Sequence, residues 1–149
     1  MTVPRVYLDT NVFITAMEQT GARSDHAWWV LSSLEAGEFA GVTSELTLSE
    51  VLVKPLERGA DAVVEAYQGM IAPSVGFDVL PVDRAVLVAA ARLRAGRASL
   101  KLPDAIHVAT AQLGGCGFFV SADERIAVPT GMARLPLSPF TVDDIVNPK

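Results

Sequence analysis

The chain has 149 residues, half of them apolar and 19% charged, with a net charge of −5 and one cysteine. That is the length of one domain with ample material for a core, and it argues against a disordered chain. No apolar run nears the roughly 18 residues of a membrane span, and the lone Cys116 excludes a disulfide framework or a cysteine zinc site.

The first residues lead almost directly into Val6–Leu8 without the basic and apolar stretches of a signal peptide, so a reducing cytoplasm is the expected compartment. Hydrophobic patterning predicts a strand at Val6–Leu8, helices at Asn11–Met17 and Asp25–Ala36, and a strand at Phe39–Val42. Helices at Thr47–Val53 and Asp61–Ser74 lead to a strand at Phe77–Val82. Helices at Ala85–Ala95 and Asp104–Leu113 precede a strand at Phe118–Ser121 and a weaker one at Ala133–Leu137. Residues 138–149 read as a C-terminal tail or short helix of the same single domain, 1–149, with Thr141 as a cap and Asp143 and Asp144 as its solvated start.

This alternation is an α/β pattern. It predicts βαβ crossovers and a mostly parallel sheet of about five strands with helices on both faces. Gly37, Gly59, Gly76, Gly96 and Gly114–Gly115 fall near helix ends, where left-handed caps occur. The run Ala85–Ala91 reads as a buried helix, and so does 104–113, which is apolar almost all round. Trp28 and Trp29 read as core, with a groove for a partner as the other possibility.

Four carboxylates stand where the element ends should gather them. Asp9 ends the first apolar run, and Asp123 closes the run 117–122. Glu50 lies in a helix between apolar neighbours, and Asp104 opens a helix after Pro103. If the two runs are parallel strands, their C-terminal ends share the crevice in which open α/β sheets bind ligands. Each acid alone has an ordinary reading as a turn starter, a cap or an exposed helix residue. Together they would repel strongly unless a positive charge lay among them, and a hard divalent cation with oxygen ligands answers that need. The expected chemistry is metal-assisted phosphodiester hydrolysis. Thr10 and Asn11 can orient Asp9, and Ser121 adds a hydroxyl beside Asp123.

From Arg84 to Pro103 there are five basic residues and no acid. Arg92, Arg94, Arg97 and Lys101 are therefore candidates for contacts to an anionic substrate, despite the acidic overall balance. His107, three residues after Asp104, shares its helix face; the expectation is a packed or hydrogen-bonded helix histidine. Glu124 and Arg125 read as an exposed pair on a following helix.

Tyr7-Leu8-Asp9-Thr10-Asn11-Val12, Ser49-Glu50-Val51, Leu102-Pro103-Asp104-Ala105-Ile106-His107-Val108-Ala109-Thr110-Ala111 and Ser121-Ala122-Asp123 occur in this order. The set resembles the PIN-domain nucleases, and most closely the toxin ribonucleases of VapBC-type toxin–antitoxin pairs. The resemblance covers Tyr7 to about Ile126, and its third piece is the most specific. The last piece departs from the commoner Thr-Asn-Asp followed by Phe: Ala122 replaces the amide and Ile126 the aromatic ring.

The resemblance implies a doubly wound, three-layer α/β/α sandwich and an endoribonuclease using Mg²⁺ or Mn²⁺. It further implies an RNA substrate, an inhibitory antitoxin protein and a homodimer; the expectation of no membrane partner comes instead from the lack of a long apolar run. Asp9, Asp104 and Asp123 would hold the metal, and Glu50 would act through water. The products would carry 5′-phosphate and 3′-hydroxyl ends. A strand-end Asp also opens phosphatases of the haloacid dehalogenase type, but those need a second acid where this chain has Asn11. The remaining alternative is a PIN-like module that binds RNA or protein without cutting it.

Overall fold

The computed structural model describes residues 2–149. In chain order they form β1 (Arg5–Leu8), α1 (Thr10–Glu18), α2 (Ala22–Glu35), β2 (Ala40–Ser44), α3 (Glu45–Glu57) and α4 (Asp61–Met70). Next come β3 (Phe77–Leu80), α5 (Arg84–Gly96), α6 (Leu102–Leu113), β4 (Phe118–Val120), β5 (Ala133–Leu135) and α7 (Thr141–Val146).

All five strands pair in parallel, in the order β3-β2-β1-β4-β5. The chain runs outward from β1 to β3, then returns to the other side of β1 with β4. The strand order therefore reverses between β1 and β4, and their C-terminal ends open the crevice there. The register pairs Leu8 with Val120, so the residues that follow each strand, Asp9 and Ser121, emerge side by side.

Alternation along β1 splits the core into two. Val6 and Leu8 face a cluster completed by Val12 and Phe13 of α1, Val30 of α2, Val51 of α3, Tyr67 of α4 and Ile145 of α7. Tyr7 faces the other way, onto Val108 and Ala111 of α6 and Phe119 of β4. Helix α6 is buried at seven consecutive residues, Ala105–Ala111. Its small side chains let it lie close against the sheet, and α5 packs behind it through Val86 and Ala90. Three layers result, with β1 central and fully buried from Val6 to Leu8, as a parallel sheet covered on both faces requires.

Several expectations need correction. Helix α5 is not buried through the run 85–91, since Leu87 and Val88 remain 46% and 43% exposed. Its inner stripe of Val86, Ala89, Ala90 and Leu93 packs toward α6, while Leu87 and Val88 face away from it. Trp28 and Trp29 are likewise 41% and 47% exposed. Trp28 borders an apolar groove of about 330 Å³ with Phe13, Leu34, Met70 and Phe77.

Helix α3 runs on through the buried Pro55 instead of stopping at Val53, and α4 ends at Met70, short of Ser74. Gly114 keeps right-handed geometry, and it is Gly115 that turns the chain at φ +71°. Gly96 is the last residue of α5, without a positive φ. No helix lies between β4 and β5; the chain makes irregular turns from Ser121 to Gly131. Thr141 does not cap α7 but starts it, and its hydroxyl ties down the preceding turn at Pro136 and Ser138.

Phe119 is fully buried and stacks on Tyr7 with ring centroids 5.0 Å apart. Truncating it opens a cavity between β4 and α6. Phe119→Ala is expected to lower unfolding free energy by about 3–5 kcal/mol, measured by urea denaturation. Leu113→Ala, at a 55% exposed position, should change it by less than about 0.5 kcal/mol.

Candidate active site

Asp9 is the N-cap of α1. Its Oδ1 accepts a hydrogen bond from Thr10 N at 2.9 Å, and its own N–H reaches across to Val120 O at 3.1 Å. Oδ2 accepts from Ser121 Oγ at 2.7 Å and from Asn11 Nδ2 at 3.3 Å. Asn11 also clamps the two strand ends: its Nδ2 donates to Ser121 Oγ, and its Oδ1 accepts from Ala122 N at 2.9 Å. The link from β1 to the β4 turn therefore runs through the Ala122 backbone and does not need a side-chain amide at that position.

Glu50 projects from α3 toward the same crevice. Its Oε1 accepts from Thr10 Oγ1 at 2.7 Å and from His107 Nε2 at 2.6 Å. His107 is only 2% exposed. Its Nδ1 pairs with the Tyr7 hydroxyl, and its Nε2 also lies 3.7 Å from Asp9 Oδ1. The packed, hydrogen-bonded histidine expected at this position is found, but its partners are site residues. It joins α6, β1 and α3 through one ring.

Asp104 occupies the first turn of α6, with Lys101 as N-cap and no side-chain cap bond. The ordinary reading of Asp104 as a capping residue therefore does not hold. Asp123 follows β4 by a turn in which its N–H donates to Ser121 Oγ at 3.0 Å. Arg125 then folds back on it, Nε to Oδ1 at 3.1 Å and Nη2 to Oδ2 at 3.3 Å. Arg125 thus pairs with Asp123 and not with Glu124.

Electrostatics record how close these groups lie. Burial raises the Asp104 carboxyl above the usual carboxylate range, and the charges of Asp9 and Asp123 raise it further. Burial also raises Asp9, against the lowering effects of His107, Ser121 and Thr10. Glu50 ends up lowered: burial opposes ionisation, but the hydrogen bonds from His107 and Thr10 outweigh it. Burial disfavours the charged form of His107, yet the Glu50 hydrogen bond and the Asp9 charge raise it overall. Asp123 is lowered chiefly by its hydrogen bonds with Arg125. Two carboxyls held reluctant to ionise beside two others held ionised mark a site suited to a positive charge.

A cavity of about 170 Å³ is lined by all four acids together with Thr10, Asn11 and His107. An adjoining one of about 370 Å³ shares Asp104 and Asp123 and adds Arg97, Lys101 and Arg125. Arg92 borders neither cavity. Arg94 donates from Nε to Leu100 O at 3.1 Å, which shapes the loop carrying Arg97.

Among the described residues, no three histidine, cysteine or carboxylate side chains close into a metal cage. The donors are instead hard oxygens spread around an open cavity. That fits a cation such as Mg²⁺, which takes one or two carboxylates and keeps several of its waters.

The four acids singled out in the sequence are brought together around one cavity. The sequence pattern missed Tyr7 and the linking position of His107, for which the i, i+3 spacing from Asp104 was the available signal. Nothing local marked Arg125, because its place depends on a turn without regular structure.

A family model described as PIN domain matches residues 6–130. No curated protein matches the chain. Among solved structures, a toxin–antitoxin complex from Klebsiella pneumoniae is similar at 25% identity, with a TM-score of 0.62, covering 86% of this chain and 95% of that one. The VapBC of Salmonella typhimurium, solved bound to DNA, shares the fold at 17% identity and a TM-score of 0.69, covering 91% and 100%. VapC20 of Mycobacterium tuberculosis, described as a sarcin-ricin loop cleaving toxin, does so at 18% identity and 0.67, covering 81% and 92%. The parallel sheet ordered 3-2-1-4-5, the acids at its switch point and the match over most of the chain lead to one conclusion: this chain belongs to the PIN-domain family.

Proposed function

We propose that this protein is a divalent-metal-dependent endoribonuclease and the toxin of a toxin–antitoxin pair. The observation that carries the reading is the convergence of Asp9, Glu50, Asp104 and Asp123 on one cavity beside a basic pocket. Similar folds occur in a toxin–antitoxin complex and in a toxin described as cleaving the sarcin-ricin loop. RNA is accordingly the proposed substrate, an antitoxin the proposed protein partner, and a homodimer the proposed assembly. No helix of the described chain is long and apolar enough to cross a membrane.

Asp9, Asp104 and Asp123 would hold Mg²⁺ or Mn²⁺, and Glu50 would position the attacking water. A bound cation supplies two things here: it makes a nearby water more acidic, and it offsets charge gathering on the phosphoryl oxygens. The protein's own part is orientation. Ser121, Asn11 and the Thr10 amide fix both oxygens of Asp9. Thr10 and His107 occupy Oε1 of Glu50, which leaves Oε2 to take a proton or aim a water. Arg97 and Lys101 line the adjoining cavity and would contact neighbouring phosphates of the strand. With water as nucleophile no covalent intermediate forms, and the products would carry 5′-phosphate and 3′-hydroxyl ends.

Purified protein, freed of any antitoxin, should cleave a mixed structured RNA pool with Mg²⁺ or Mn²⁺ and stop with EDTA. Asp9→Asn and Asp104→Asn should each reduce the rate at least about a hundredfold. Glu50→Gln should reduce it by about ten- to a thousandfold. Equal cleavage by wild type and both Asp variants would overturn the assignment, and RNA binding without cleavage would support the non-cutting alternative.

Stability supplies a second prediction. The folded-state pKa of Asp104 lies above its ordinary value, so folded protein holds that proton more tightly than unfolded chain does. The ionised form therefore costs stability in full above the folded pKa, and the cost fades as pH falls through the carboxylate range. Asp104→Asn should raise the melting temperature at pH 7 by about 1–4 °C without metal, with the gain shrinking toward about pH 4. Added Mg²⁺ should stabilise the wild type and not the variant. A melting temperature lowered by the substitution at pH 7 would contradict the electrostatic account.

A further inference from the structure

The two sides of the basic pocket are joined by one side chain. Arg125 lines it with Arg97 and Lys101 and at the same time covers Asp123, engaging both carboxylate oxygens. A cation drawn to Asp123 and the Arg125 guanidinium therefore compete for the same oxygens. The competition is easily resolved, because the Arg125 side chain is 88% exposed. Exposed pairs of this kind shift an equilibrium only about one- to fivefold. Asp123 would not lose its orientation when the guanidinium leaves. Its Oδ1 still accepts from the Arg125 backbone N–H at 3.0 Å, and its own N–H still donates to Ser121.

We propose that Arg125 is an exchangeable cation of this site. Without metal it pairs with Asp123; when a divalent ion takes that carboxylate, Arg125 is released into the pocket to hold a phosphodiester of the bound strand beside Arg97 and Lys101. Its charge thus stays next to the acids in one state and next to the substrate in the other. The planar fork that spans a carboxylate also matches a phosphate. Metal binding and strand binding would be coupled through this one side chain, each favouring the other. The inference rests on the metal-dependent nuclease reading, and its test separates the two.

The experiment is a Mn²⁺ titration of metal-free protein by calorimetry, run on wild type, Arg125→Ala, Arg125→Lys and Asp104→Asn, with circular dichroism to verify folding. In parallel, fluorescence anisotropy follows a fluorescein-labelled single-stranded RNA oligonucleotide over a range of salt, in EDTA and in Ca²⁺, with its integrity checked on a gel.

Arg125→Ala is expected to bind Mn²⁺ about two- to fivefold tighter, because the internal competitor is gone. In Ca²⁺ the same variant should bind the oligonucleotide more weakly, and its salt dependence should flatten by about 0.7 in log–log slope, the value of one lost phosphate contact on a single strand. In EDTA the RNA defect should be smaller. Arg125→Lys should restore the slope. Arg23→Ala, which removes the same charge from α2 away from this pocket, should leave it unchanged.

Unchanged or weakened Mn²⁺ affinity in Arg125→Ala would overturn the exchange, and so would an equal RNA defect in EDTA and Ca²⁺. If the wild type takes up no Mn²⁺, or Asp104→Asn takes it up equally well, the metal reading itself fails, and the exchange with it.

Discussion

Like-charge repulsion is the constraint around which the C-terminal edge of this sheet is built. Four carboxylates share one small cavity, and two of them, Asp9 and Asp104, are held above their ordinary pKa. Asp104 has no hydrogen-bond partner among the described residues, and burial and its acidic neighbours disfavour its charged form. A charge that costs stability and is nevertheless exposed to its own kind makes physical sense as a receptor for a cation.

The protein relieves part of that repulsion internally, and unevenly. On the Glu50 side the relief is buried: His107 bridges Tyr7 and Glu50 in the core, with Thr10 alongside. Both ring nitrogens of His107 and the hydroxyls of Tyr7 and Thr10 have partners there, and only Oε2 of the partly exposed Glu50 is left open, which keeps the buried part of the network rigid. On the Asp123 side the relief is a solvent-exposed arginine on an irregular turn. One half of the site is fixed by packing, and the other is held by a contact that water and salt readily loosen. The basic pocket of Arg97, Lys101 and Arg125 lies on the looser side.

The match between sequence patterning and fold was close where elements are buried on all sides. The three central strands and helix α6 could be read directly, because a covered parallel strand is a continuous apolar run and a covered helix is apolar all round. Patterning misled at the periphery. Composition alone made Ala85–Ala91 look interior, but an alanine-rich helix can pack through one narrow stripe and leave Leu87 and Val88 in solvent. Trp28 and Trp29 misled in the same way, since size and apolarity do not say whether a further layer will cover them. The segment after β4 lacks periodicity, so its turn, and the return of Arg125 onto Asp123, had no local signal.

By itself the sequence determined the parallel α/β architecture and singled out the four acids that share the cavity, because hydrophobic period and a carboxylate at the end of a strand or on a helix are local properties of the chain. Tertiary structure alone decided which atoms meet. The β1–β4 register sets Asp9 beside Ser121, and the closeness of α6 to the sheet brings His107 to Tyr7 and Glu50 across intervals of 100 and 57 residues. Those contacts depend on how layers stack and strands order themselves, and no short stretch of sequence carries that information.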